Sequence, residues 1–297
     1  MNRAVLAGLF ALQVLVVGVV LAWNIRPPDE PTAFFDFNPD LITAIQVLSE
    51  GQMIDLQKVD EDWRLADGKP ADVEKVNDVL DKLVNASTGW PVATSSTTAD
   101  RFEVTEDKFQ KRLTLHAGDE IVADAFFGTS PGYRKVHVSR VEGGPVFAIE
   151  FSNYELGSDN SSWLNKSLLR PEGDLQRLVH EGEYVVNLVD DEWVAEGGVE
   201  LDAEALDKVI GRFENLNVYT ISDADLPTEP TALLSWTDAK GETQLSLYHL
   251  EEEDDWVATS DRVAGQYGIS TYIAKDMAMT LDELLPQVEA EEAAPND

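Results

Sequence analysis

The stretch "EDWRLADGKPADVEKVNDVLDKL", which begins at Glu61, returns as "DEWVAEGGVELDAEALDKVIGRF" beginning at Asp191. At a fixed offset of 130 residues, Val59, Asp60, Trp63, Asp72, Glu74, Val79 and Asn85 fall on Val189, Asp190, Trp193, Asp202, Glu204, Val209 and Asn215. Leu80 and Leu83 fall on Ile210 and Phe213. Similarity at one spacing, without a gap, predicts two copies of one structural unit.

The matched positions carry matched physical roles. "MIDLQKV" sets Met53, Asp55 and Gln57 against Ile54, Leu56 and Lys58, the alternation of a strand, and "YVVNLVD" is its counterpart. "VDEDWRLA" and "VDDEWVAE" then read as an acidic turn followed by a second strand carrying Trp. Val73, Val76, Leu80, Leu83 and Val84 share one helical face, as do Leu206, Val209, Ile210 and Phe213. Asp72 and Asp202 stand where each helix begins, able to accept from its first N–H groups and to complement its dipole. Trp63 and Trp193 are expected beneath these helices as core aromatics rather than as ligand-stacking platforms.

Further alternating segments follow each helix, with turns marked by "HAGDE", "VEGG" and "DAKGE". Antiparallel strands with a single main helix indicate an α+β fold. The expected organisation is a membrane anchor over 1–25, a linker over 26–40, a first α+β repeat unit over 41–155, a connector over 156–174 and a second repeat unit over 175–286. A last helix is expected around Lys275–Leu285, ending before Pro286, and residues 287–297 form an acidic tail.

From Ala4 to Trp23 no residue is charged, and Gln13 is the only strongly polar one. A helix of that length rises roughly 30 Å, the thickness of bilayer hydrocarbon. Arg3 and the terminal amine precede it, Arg26 follows it, and the amine tips the orientation towards an inside N-terminus, with the long acidic remainder outside the cytoplasm. The apolar run exceeds a usual signal-peptide core and lacks a small-x-small exit, so an uncleaved signal anchor is expected, with cleavage as the alternative. "RPPDEP" is a stiff, extended exit.

Lys and Arg number 22 against 56 Asp and Glu, a formal net charge of −34. Such a chain repels nucleic acid and anionic lipid headgroups, so no nucleic-acid partner is expected. With no Cys there are no disulfides, thiolate metal sites or Cys nucleophiles.

Chemistry is sparse. His116, His137, His180 and His249 stand apart and make no paired metal motif, and there is no phosphate-binding glycine signature. Neither a catalytic residue, a cofactor nor a metal is expected. "LEEEDDWV" gathers carboxylates without calcium-loop spacing and reads as a solvated turn. Arg134, Lys135 and Arg140 form a rare basic cluster, near Lys108, Lys111 and Arg112 in sequence; it is either strand-surface ion pairing or a patch for an anionic ligand or partner.

"PADVEKVNDVLDKL" after a Trp-bearing strand, the opening "MNR" before an apolar helix, and "WLNKSLL" from Trp163 to Leu169 together resemble the bacterial domain of unknown function 4340 family. The resemblance implies a membrane-anchored, extracytoplasmic protein associated with ABC-type transport components similar to the gliding-motility auxiliary ones, and brings no catalytic residue. The function expected is that of an accessory or scaffold subunit, single-pass in the inner membrane with its bulk in the periplasm, acting by protein–protein contact. The alternative is an extracytoplasmic binding protein for a cell-wall polymer, peptide or cation. An envelope-polymer hydrolase ranks last.

Overall fold

The computed structural model describes Gly8, Phe10, residues 12–19 and residues 32–286. The span expected over Ala4–Trp23 lies partly outside these residues, as do residues 26–31 of the linker and the tail 287–297. Residues 12–19 are helical and exposed along their length. Among the described residues no helix is long and apolar enough to cross a membrane.

The folded body is α+β and contains two large sheets. The first consists of β1 (Ala44–Ser49), β2 (Gln52–Val59), β3 (Asp62–Leu65), β4 (Lys111–Ala117), β5 (Glu120–Phe127), β6 (Lys135–Arg140) and β7 (Phe147–Glu150), in the order β3-β2-β1-β4-β5-β6-β7. The second consists of β8 (Arg177–His180), β9 (Tyr184–Val189), β10 (Glu192–Ala195), β11 (Val218–Ser222), β12 (Ala232–Asp238), β13 (Gly241–Leu250), β14 (Asp255–Ser260) and β15 (Gln266–Ile269), in the order β10-β9-β8-β12-β13-β14-β15-β11. Every pairing is antiparallel, and apart from β11 the two sheets run in the same order. Helix α1 (Val73–Val84) follows β3, and α2 (Ala203–Glu214) follows β10.

The correspondence extends to single bonds. Trp63 lies opposite Lys58, and Trp193 opposite Leu188. Both intervening turns take positive φ at their two central residues, Asp60 and Glu61 in one and Asp190 and Asp191 in the other. That backbone twist matches the right-handed twist of the flanking strands. The Asp72 carboxylate accepts from Lys75 N at 3.0 Å and that of Asp202 from Ala205 N at 2.8 Å, each satisfying a first-turn donor. Val76, Val79, Leu80 and Leu83 are buried on α1; Leu206, Val209, Ile210 and Phe213 are buried on α2. At roughly 2 kcal/mol for each large side chain, these faces hold the helices to their sheets. Asn85 and Asn215 close the helices by donating their side-chain amides to Asp81 O and Gly211 O.

The two tryptophans differ in cover. Trp63 is buried under α1 and beside the short helical turn Pro39–Leu41. Trp193 occupies the same register but is only half-buried, correcting the expectation of two like environments. Among the described residues no comparable turn lies over it; it forms part of an open groove between β10 and residues 199–201.

Most buried apolar side chains of both sheets belong to one contiguous core, together with Trp163, Leu164, Leu169 and Leu175 from the segment between them, while Phe126 of β5 joins a smaller cluster with Ala93, Ala99, Val104 and Val146. The helix expected around Lys275–Leu285 is two short ones, α3 (Thr271–Met277) and α4 (Leu281–Leu284). Thr280 sets the break: its backbone N–H and hydroxyl both donate to Glu283, which starts a new turn.

Candidate functional site

The most concentrated polar chemistry lies in the segment joining the sheets. Trp163 is fully buried, and its indole Nε1 donates to Leu156 O at 3.1 Å. Asp159 accepts from Ser162 N at 2.7 Å and tightens the loop 157–163. Gly157, at φ 57°, brings the chain so close that a Cβ there would lie 2.1 Å from Ser162 Oγ and 2.6 Å from Trp163 Nε1. Only glycine fits this position.

Three lysine ammoniums converge on that loop from different elements. Lys75 on α1 donates to Ser162 O and sits 4.6 Å from the centre of the Trp163 ring. Lys111 on β4 donates to Gly157 O and, at 3.2 Å, to Ser158 Oγ. Lys166 donates to Ser161 O and, at 2.7 Å, to Tyr219 O on β11. Burial pulls all three below the usual lysine range; repulsion from Lys166 adds to it for Lys75, and repulsion from Lys75 adds to it for Lys111. Arg170 extends the clasp by donating to Leu216 O at 2.9 Å and Asn217 Oδ1 at 2.7 Å. Chemically, this arrangement orders backbone carbonyls and ties the second sheet to the first; the ammoniums are engaged as donors rather than aimed at a substrate.

Beside the clasp is a cleft of about 670 Å³ lined by Pro70, Asn165, Arg170, Lys240 and Arg262 among others. Its cations are committed. Lys240 pairs with Glu172 at 2.6 Å, and Arg262 with Asp238 at 2.9 and 3.0 Å. The Asp238 carboxylate also accepts from Trp236 Nε1, Glu172 N and Lys240 N. Burial alone would raise its pKa, but Arg262 and these N–H groups together hold it well below the usual carboxylate range.

The residues singled out in sequence are distributed as follows. Arg134 lies in the turn before β6, Lys135 opens the strand and Arg140 closes it, roughly 17 Å away along a strand of that length. Arg134 stacks on Tyr133 and lines a shallow pocket with Lys82, Glu150 and Glu155. Lys135 lies opposite Glu150 in the ladder. Arg140 donates to Phe34 O and lies over the Phe34 ring. The three cations thus do not converge on one point. Asp72 and Asp202 cap their helices. His137 is buried against Phe102, His180 bonds Met279 O at 3.0 Å, and His249 bonds Asp254 and stacks on Trp256. Among the described residues no group of three His, Asp or Glu side chains could hold a metal ion.

Nothing in the sequence reading singled out Lys75 or Lys166, and Lys111 entered it only as a neighbour of the basic cluster at Arg134, Lys135 and Arg140. Their available signal was the pairing of "WLNKSLL" with a polar Gly-Ser-Asp-Asn-Ser-Ser run, whose carbonyls need donors once buried.

An antiparallel α+β body with two sheets in the same order, joined by a lysine-held clasp, defines the class of protein. The family described as Domain of unknown function (DUF4340) matches residues 63–233, more than half of the chain, and the chain belongs to that family. The match runs from Trp63 on β3 through the clasp and into β12 of the second sheet. No curated protein and no solved structure matches the chain.

Proposed function

We propose that this protein is a membrane-tethered, extracytoplasmic accessory or scaffold subunit that works by protein contact within an envelope or ABC-type transport complex. The observation that carries the reading is the apolar stretch before the folded body. Phe10, Leu12, Val14, Leu15, Val16, Val17 and Val19 are all more than half exposed. Side chains of this kind are stable in hydrocarbon and costly in water. The charge-free segment Ala4–Trp23 supplies the length such a tether needs. The polar cleft beside the clasp supports a contact role over catalysis, because Lys240 and Arg262 in it are engaged by Glu172 and Asp238.

Fractionation of cells expressing the full chain tests the tether. The protein should stay with membranes through alkaline carbonate extraction, and removal of residues 1–26 should release it. Protease added to spheroplasts should digest residues 32–286. In-cell crosslinking should then recover integral-membrane partners reproducibly. An intact chain in the soluble fraction, or one recovered alone, would overturn the reading.

A further inference from the structure

The same strand edge is closed in one sheet and open in the other. In the first sheet β3 is the outer strand, and the chain folds back along it. Ala71 N donates to Trp63 O and Leu65 N to Lys69 O, each at 2.9 Å, with Pro70 opposite Arg64. In the second sheet β10 is the outer strand. Leu188 turns its N–H away from β10 towards Gln176 O, so Trp193, opposite it, directs its own backbone groups outward. Among the described residues neither Trp193 O nor Ala195 N, the counterparts of the two closed groups, takes a hydrogen bond.

The returning segment exists here too, as Val199-Glu200-Leu201, but it stands off from β10. Gly197 and Gly198 both take positive φ and swing it outward. Asp202 N is drawn to Leu284 O, the counterpart of a bond the first unit also makes. The first unit places Asp72 N on Trp163 O and then fastens Pro70 O with Asn165 N. The residue two after Leu284 is Pro286, which has no N–H to give. The result is a groove of about 470 Å³ between β10 and residues 199–201, with Trp193, Ala203 and Leu206 among its lining residues. Val194 and Val199 are 47% and 40% exposed at its sides.

We propose that this groove takes an extended, lysine- or arginine-bearing segment of a partner protein, added antiparallel to β10 as a further strand. The inference rests on the reading that the chain works by contact, though not on where the chain resides. The occupant's chemistry follows from the lining. Asp191, Glu192, Glu200 and Asp207 surround the groove, so a basic segment is attracted. A second copy of this chain would bring a net charge of −34 and the same carboxylates against themselves. Lys69-Pro70-Ala71 shows the register on the closed edge: a residue that accepts from the position of Ala195 N, a central residue that needs no N–H, and a residue that donates to the position of Trp193 O. Added strands gain affinity from such main-chain bonds and specificity from alternate side chains.

The test uses the full chain in detergent with two acetylated, amidated peptides, KVKPAKV and EVEPAEV. Isothermal titration calorimetry reads affinity, and hydrogen exchange reads protection across residues 189–202. KVKPAKV should bind, slow exchange at Trp193 and Ala195, and weaken with added salt; EVEPAEV should not bind. Ala195 has φ −73°, a value proline adopts, so Ala195→Pro removes the outward N–H without bending the strand. It should weaken KVKPAKV about tenfold, the effect of one lost hydrogen bond. Val194→Lys should weaken binding and Val194→Glu strengthen it, which keeps the test decisive if the proline variant misfolds. Equal binding of both peptides, or binding indifferent to all three substitutions, would overturn the proposal. So would edges already protected without peptide: a dimer abolished by Ala195→Pro would make the occupant a second copy, and exposure on removal of residues 287–297 would make it this chain's own tail. None of these readouts depends on membrane localisation, so failure here and failure of the fractionation test are separable.

Discussion

Asp238 shows how much one buried carboxylate can organise. It receives a bidentate guanidinium, an indole N–H and two backbone N–H groups. Asp238→Asn keeps the shape but leaves Arg262 without its counter-charge. It should cost about 3 kcal/mol of unfolding free energy, measured by urea titration. The sign with pH is fixed by the lowered folded pKa. The unfolded carboxyl takes up protons first, so the contribution is present above about pH 4 and is lost as pH falls through the folded value. The asparagine variant should therefore lose part of the wild-type acid sensitivity below pH 4. Gly157 is a second sensitive position. Gly157→Ala must displace Ser162 or Trp163 and hold alanine at positive φ, and should cost more than about 2 kcal/mol in the same assay. Neither site was legible in the sequence: Asp238 meets Arg262 and Glu172, both distant along the chain, while Ser162 and Trp163 are near Gly157 in sequence but close on it only through the fold of an irregular loop that no periodicity reports. Asp72 and Asp202 were legible because a cap is a local relation over three residues.

Helix periodicity and strand alternation identified the buried faces of α1 and α2 and the hairpins before them, since both patterns are set by backbone geometry within one element. What periodicity cannot report is cover from elsewhere. Trp63 and Trp193 are alike in sequence and register, yet the turn Pro39–Leu41 shields only the first. The split of the final helix was written locally, in Thr280 and Glu283, but a continuous apolar pattern masked it. At this scale the contact between α2 and α3 depends on Asp276, buried and bonded to Lys208 at 2.7 Å and Arg212 at 2.8 Å, while Tyr272 stacks beneath Arg212. Asp276→Ala removes the anion and leaves two cations facing a buried gap. It should cost about 3 kcal/mol. Amide exchange should accelerate in Thr271–Met277 more than in α1, and equal acceleration in both helices would sink this account of the contact.

Across the whole molecule, one core spans both sheets and passes through Trp163. Residues 32–286 should therefore unfold in a single calorimetric transition, with calorimetric and van't Hoff enthalpies in agreement. Trp163→Ala opens the junction at a cost of about 3–5 kcal/mol and should separate the transition into two. A wild-type scan already resolved into two steps would contradict the shared core. The fastening of the units also has a direction along the chain. Asp72 at the start of α1 is met by Trp163, and Asp202 at the start of α2 by Leu284. Each helix thus waits for a residue made some eighty or ninety positions later (Trp163 and Leu284), so neither half closes while its trailing segment is still within the ribosome or a translocation channel. A chain ending before Leu281 would leave the machinery with its first half latched and its second ajar, and quality-control proteases should find their first cut there.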